Sequence, residues 1–214
     1  MRLATGWSQK SFEETGMRKG EDTRREIIRK AAPIFNQKGY DGAALSDLMR
    51  ATGLEKGGIY RHFSSKEALA AEAFDYAWRE TFDSRIRDLD SISNAVDRLK
   101  QFVANFVERR GVIPGGCPLL NTAIDTDDGN SILRARARKA LRGWRSHLIL
   151  MIRAGMKARE IRSRVDEKKL ATLIISSLEG AIMLCRLERN EEPLRAVQAH
   201  LNKYLETEVR VPSE

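Results

Sequence analysis

The chain has 214 residues, of which 42% are hydrophobic and 32% are charged, a composition that fits a globular protein and excludes a disordered chain. Its formal net charge of +8 and its pI near 9.7 favour a polyanionic partner such as nucleic acid. The competing interpretation of this charge is a merely basic surface.

The cysteines and the apolar segments limit the class of protein further. Cys117 and Cys185 form neither a disulfide framework nor a metal-ligand spacing. Residues 1–16 lack the apolar core of a signal peptide, and no run of about 18 apolar residues occurs. We therefore expect a cytoplasmic protein without a membrane segment, a metal site or another cofactor.

The first predicted helix begins at a capping box, in which the hydroxyl of Thr23 precedes the carboxylate of Glu26 by three residues. Apolar residues then recur at helical spacing until Gly39, and Pro33 within this run predicts a kink or a lost backbone hydrogen bond. Residues 1–20 precede the fold as an extension. This extension is a flexible segment, a basic arm that lies along DNA, or in part a start that does not belong to the natural chain.

Two short helices follow, and Gly53 makes the turn between them. The first spans 45–52 with its apolar positions facing inward, and the second spans about 56–62. Another capping box, Ser64 to Glu67, begins a long amphipathic helix. This order predicts a helix-turn-helix, whose second short helix enters the major groove of DNA.

The second short helix contains two adjacent glycines, each of which weakens a helix by about 1 kcal/mol relative to alanine. Without side chains, Gly57 and Gly58 allow the helix backbone to approach a phosphate closely. The flanking side chains can donate to phosphate oxygens or to guanine edges, and they are Lys56, Tyr60, Arg61 and His62. The opposing interpretation takes the glycines as a poor helix, and Tyr60 as a core aromatic residue like Phe63.

Residues 23–69 resemble the DNA-binding region of the TetR family of bacterial transcriptional regulators. The matching features, in order and in register, are Ala31-Ala32, Phe35, Gly39-Tyr40, Asp47-Leu48, Gly53-Leu54, Lys56-Gly57, Ile59-Tyr60, His62-Phe63 and Lys66-Glu67. The resemblance implies an all-α protein with a three-helix DNA-binding domain at 21–66 and a larger helical effector-binding and dimerisation domain at 67–214. It also implies phosphate contacts from Tyr60, His62 and Lys66, which leaves Lys56, Arg61 and Ser46 as base readers.

The remaining chain is predicted to form helices at about 91–110, 119–127, 130–160, 166–190 and 191–208. The helix at 166–190 has more apolar surface than one core needs, at Leu170, Leu173, Ile174, Ile175, Leu178, Ala181, Ile182 and Leu184. Gly180 and Ala181 are small enough to admit a partner helix. As in the resembled family, we expect the last two helices to form a homodimer, whose two-fold symmetry matches a palindromic operator.

Eight residues are candidates for a small-molecule pocket, because aromatic, sulfur and polar side chains in a helical domain suit a ligand site. They are Phe102, Phe106, Cys117, Asn121, Trp144, His147, Met151 and Met183. Ordinary core packing is the competing interpretation for each of them. Cys117 is in addition a candidate reactive thiol, and His147 a candidate pH-sensitive group.

The predicted function is transcriptional regulation by a repressor. Its homodimer binds a palindromic operator in double-stranded DNA and is released by an unidentified small-molecule effector. The alternative is an architectural or partner-recruiting DNA-binding protein of the same fold without an effector. An enzyme is disfavoured, because the sequence contains no nucleophile elbow, phosphate loop or metal-ligand cluster and its three histidines lack a catalytic spacing.

Overall fold

The computed structural model describes residues 8–109, 112–126 and 129–212, and within these ranges it contains helices and no β-strand. The helices are α1 (Ser8–Gly42), α2 (Leu45–Thr52), α3 (Lys56–Tyr60), α4 (Lys66–Ile86), α5 (Ala95–Glu108), α6 (Pro118–Asp125), α7 (Ser131–Lys157), α8 (Glu167–Glu188) and α9 (Glu192–Tyr204). The predicted all-α class is confirmed: an N-terminal helix-turn-helix precedes a larger helical domain.

Helix α1 begins earlier than its sequence pattern predicts. The chain is helical from Ser8, so the capping box at Thr23 marks no helix start. Residues 8–20 of the expected extension are therefore helical, while residues 1–7 lie outside the described part of the chain. The departure from helical backbone falls at Gly39, with φ of 73°, and not at Pro33. Glycine tolerates this left-handed conformation, so it takes up the bend.

The helix-turn-helix follows the predicted order. Helix α2 has the predicted bounds, and Gly53 ends it with φ of 71° while its N–H donates to the carbonyl of Met49 at 2.9 Å. Helix α3 ends at Tyr60, two residues earlier than predicted. The capping residue of α4 is Ser65 and not Ser64, because the Ser65 hydroxyl accepts from the Ala68 amide at 3.0 Å.

Two main hydrophobic cores meet along α4. The first core belongs to the DNA-binding region and contains Ile27, Ala31, Ala32, Leu48, Ile59, Phe63, Leu69, Ala73, Ala77 and Ile113. The second core is built by α4–α9 around the fully buried Trp144, Leu148 and Ile174. Phe74 of α4 belongs to the second core, whereas Leu69 and Ala73 belong to the first. A single helix therefore connects the packing of both regions.

Helix α8 is long and apolar enough, by length and composition alone, to cross a membrane, and half of that stretch is buried inside the protein. Its inward face contributes Ile174 and Leu178 to the second core, while Leu173 and Leu184 remain 38% and 41% exposed. Ala181 is buried in the chain's own core. Of the two small residues, therefore, only Gly180 is open to a partner helix, with no heavy atom within 4 Å of the position of an added Cβ.

Candidate nucleic-acid interface

Helix α3 is fixed to the first core by one face only. Ile59 and Phe63, four residues apart, are 1% and 3% exposed and pack into this core. Phe63 is thus a core residue, whereas Tyr60 is only half-buried and lies outside the core cluster. Because Ile59 faces inward, Lys56 and Gly57 lie on the exposed side of the helix.

Most of the candidate DNA-contacting side chains have no hydrogen-bonding or ionic partner in the described part of the chain. Within the described residues, Lys56, Tyr60, Arg61 and His62 form no side-chain hydrogen bond or ion pair. Arg61 is exposed just after α3, and Ser46 is exposed in the first turn of α2. The Lys66 ammonium lies 4.6 Å from the centroid of the Tyr40 ring, a cation–π contact that leaves its N–H donors available. With Gly57 and Gly58 there are eight candidate DNA-contacting residues, and all except Ser46 lie between residues 56 and 66.

The two glycines of α3 are not required by the fold. An added Cβ at Gly57 would meet no heavy atom within 4 Å, and one at Gly58 would make ordinary contact with Leu54, 3.4 Å away. Neither glycine has a positive φ. Since neither packing nor backbone conformation excludes alanine here, the open backbone suits a close approach from outside the protein.

An ion pair connects α2 to α1 at the surface. The Lys38 ammonium donates to the Asp47 carboxylate at 2.6 Å, and the same carboxylate oxygen accepts from the Ala44 amide at 3.3 Å. The hydrogen bond from Lys38 is the main reason that the pKa of Asp47 lies below its usual range. Glu55, at the N-cap of α3, makes no side-chain capping bond.

Comparisons with known proteins agree with this geometry. Residues 27–73 match the family model "Bacterial regulatory proteins, tetR family", and residues 95–201 match "Tetracyclin repressor-like, C-terminal domain". The chain belongs to the TetR family of bacterial regulatory proteins. It is therefore a DNA-binding transcriptional regulator and not an enzyme.

Several TetR-family relatives cover almost the whole chain. A TetR transcriptional regulator from Chloroflexus aurantiacus J-10-FL is 44% identical, with a TM-score of 0.87 over 91% of this chain and 100% of that chain. A TetR-family regulator from Cytophaga hutchinsonii is 35% identical, with a TM-score of 0.85 over 91% of this chain and 98% of that chain. The transcriptional repressor DhaR from Mycobacterium sp. (strain GP1) is 28% identical over 80% of this chain and 86% of its own length.

Among the described residues, the eight pocket candidates in the TetR-like C-terminal domain are spread over the core, the surface and two separate cavities, one lined by Asn121 and the other by Cys117. Phe102, Phe106, Trp144 and Met151 are buried in the second core, and Met183 is 47% exposed on α8. These aromatic residues contact one another: the Trp144 ring centroid lies 5.8 Å from that of Phe106 and 6.2 Å from that of Phe102. The competing interpretation as core packing therefore describes this aromatic group better.

The two polar candidates, Asn121 and His147, have structural surroundings. The Asn121 amide donates to the carbonyls of Asn36 and Gly115, at 3.0 and 2.8 Å. His147 is half-buried with its ring edge-to-face to Phe82 at 5.5 Å. Burial lowers the pKa of His147, which favours the neutral form of the ring.

Cys117 lies in a buried polar cluster with Arg85 and Glu179. Its thiol donates to the Glu179 carboxylate at 2.9 Å and accepts from Arg85 at 3.4 Å. Burial is the main reason that the pKa of Cys117 is raised to about 11, and burial also raises the pKa of Glu179. At neutral pH the sulfur is therefore protonated, which disfavours the interpretation as a reactive thiol.

Arg85 and Glu179 were not among the residues predicted from the sequence, although their helical register marks them as inward-facing. Arg85 continues the four-residue spacing of Ala73, Ala77 and Thr81 along the inward face of α4. Glu179 lies between Ile175 and Ile182 on the inward face of α8 in the same way. A charged residue in a core-facing register indicates a buried ionic group or a ligand site.

Proposed function

We propose that the protein is a repressor whose homodimer binds a palindromic DNA operator in the bacterial cytoplasm and is released by a small-molecule effector. The single observation that carries the DNA-binding part is the exposed side of α3. It combines a backbone open at Gly57 with Lys56 and Arg61, which have no partner among the described residues. Lys56, Arg61 and Ser46 are assigned to the bases, and Tyr60, His62 and Lys66 to the phosphates.

The exposed side of α8 supports a dimer. Leu173, Gly180, Leu184 and Leu187 follow one another at helical spacing, and these three leucines are 38%, 41% and 76% exposed. An apolar stripe of this kind is the usual mark of a surface that a second protein covers. Since one helix-turn-helix reads only a half-site, a two-fold pair of chains explains why such a stripe is needed.

Selection from random duplex DNA by the purified protein tests the proposed function. We expect an inverted repeat to be enriched and bound by two chains. Its affinity should fall steeply with rising salt, because cationic side chains displace counterions from phosphates. Enrichment of no sequence, with binding retained, would favour the architectural alternative instead. Failure to bind any duplex would contradict the proposal.

Substitutions on α3 and its flank should separate phosphate contacts from base contacts. Tyr60→Phe and Lys66→Ala each remove a phosphate donor and should weaken binding to all sequences alike, by about three- to tenfold. Arg61→Ala should instead relax the preference at one or two base positions. Binding of each variant to the selected operator and to its single-base variants measures this difference. Equal loss of base preference in all three variants would show that these roles are wrongly divided.

A further inference from the structure

A cleft of about 310 Å³ lies between the end of α4, the segment 112–117 and the end of α8. Its walls are partly apolar, from Val112, Ile113 and Ile182. The charged side chains that line it are four arginines, at positions 85, 109, 186 and 189, and one glutamate, Glu191. The cleft is therefore strongly cationic and has an apolar lining, a combination that suits an organic anion.

Arg85 is the most deeply buried of these arginines, at 4% exposure. Its guanidinium lies over the rings of Phe106 and Trp144, with centroid distances of 4.1 and 4.9 Å. One terminal nitrogen, Nη2, donates to the sulfur of Cys117. The other, Nη1, is 3.7 Å from the Glu179 carboxylate and makes no hydrogen bond, although it is buried.

Arg109, which also lines the cleft, likewise has one paired and one unpaired terminal nitrogen. Its Nη2 donates to Asp88 at 2.7 Å, while its buried Nη1 has no hydrogen-bond partner. An unpaired buried donor is unfavourable, and more so when it is charged. Two such guanidinium donors, Arg85 Nη1 and Arg109 Nη1, therefore belong to side chains that line the same cleft.

We propose that this cleft binds a small organic anion, a carboxylate with an apolar body, which accepts hydrogen bonds from Arg85 and Arg109. Val112, Ile113 and Ile182 cover the apolar body. This inference rests on the proposed function, since it makes this anion the effector that releases DNA.

The wall formed by 112–117 connects the cleft to the DNA-binding region. Ile113 lines the cleft and also belongs to the first core. The amide of Asn36, on α1, donates to the carbonyls of Pro114 and Gly116 at 2.9 and 3.1 Å. A ligand that displaces this segment therefore also moves a part of the core beneath α2 and α3. Such a ligand binds the displaced and the undisplaced arrangement of the protein with different affinities, as effector release requires.

Calorimetry of the full-length protein with octanoate and benzoate tests the site, with octan-1-ol and benzyl alcohol as neutral probes of matched shape. We expect at least one carboxylate to bind and its alcohol to bind about tenfold more weakly or not at all. Arg85→Met and Arg109→Met should each weaken carboxylate binding by about tenfold. Arg79→Met is the matched control, because Arg79 is on the same helix, exposed and outside the cleft.

Arg85→Met leaves the buried Glu179 carboxylate without its cationic neighbour, which destabilises the fold. The double variant Arg85→Met/Glu179→Gln removes both charges and therefore provides a second test of the same site. Absence of binding by both carboxylates up to about 1 mM would overturn the proposal. Equal binding by acids and alcohols, or by wild type and the arginine variants, would overturn it as well.

The effector role is measured separately, with the DNA selected for the proposed function. Carboxylate binding that depends on Arg85 and lowers DNA affinity supports both proposals. The same binding without any change in DNA affinity supports the cleft as a site and refutes effector release. If no DNA is bound, the proposed function fails, whatever the calorimetry of the free protein shows.

Discussion

The double substitution Leu184→Glu/Leu187→Glu is expected to convert the proposed homodimer into a monomer and to lower operator affinity by about a thousandfold. Both leucines lie on the exposed stripe of α8, at 41% and 76% exposure, so neither substitution disturbs the chain's own core. Four additional carboxylates would meet across a two-fold interface, where their desolvation and mutual repulsion oppose pairing. The monomer keeps one helix-turn-helix and should bind only a half-site.

Sedimentation gives the oligomeric state and a titration of the selected operator gives the affinity. Leu150→Glu is the control, because Leu150 is a leucine that is 65% exposed on a different helix, α7. It adds one carboxylate per chain, against two in the double variant, and should leave both quantities unchanged. If the double variant still sediments as a dimer, the exposed stripe of α8 is not part of the interface. A Leu150→Glu monomer would instead assign part of the interface to α7.

Gly57→Ala is expected to raise the stability of the free protein and to weaken its DNA complex. Alanine at this position meets no heavy atom within 4 Å, and it favours the helical state by about 0.5–1 kcal/mol. If a phosphate lies against the bare backbone of α3, the methyl group holds it away. Affinity should then fall by about tenfold or more, since charge-assisted hydrogen bonds from backbone amides are lost.

Gly143→Ala is the control for this substitution. Gly143 lies inside α7, is exposed, and likewise has no heavy atom within 4 Å of an added Cβ. Both variants should gain stability in chemical denaturation, and only Gly57→Ala should lose DNA affinity in the operator titration. Unchanged affinity of Gly57→Ala would mean that the helix backbone does not approach DNA at this glycine.

The order of helices and the turn in the DNA-binding region were predictable because their signals are local. Gly53 stops α2 by adopting a left-handed conformation, and Ile59 and Phe63 fix the inward face of α3 through their spacing. The start of α1 was not predictable in the same way. A capping box at Thr23 is one favourable local arrangement, and it does not prevent an existing helix from continuing through it. Similarly, the capping box predicted at Ser64 lies one residue before the actual cap of α4, which is Ser65.

The effector region was harder to predict because its polar groups pair across distant parts of the chain. Arg85, Cys117 and Glu179 come from α4, the start of α6 and α8, and no short spacing relates them. Aromatic residues were poor guides to a cavity, since Phe102 and Trp144 fill the core. A cleft is defined by the space that packing leaves open, and composition does not reveal this space.

The shared packing of α4 also limits how members of this family can be recombined. Leu69, Ala73 and Ala77 fill the core beneath the helix-turn-helix, although they lie beyond the start of α4 at Lys66. A chimera that exchanges the DNA-reading module at the beginning of this helix would pair one parent's core with the other parent's supporting residues. Its junction belongs beyond Ala77, so that the DNA-reading module keeps the residues of α4 that pack against it.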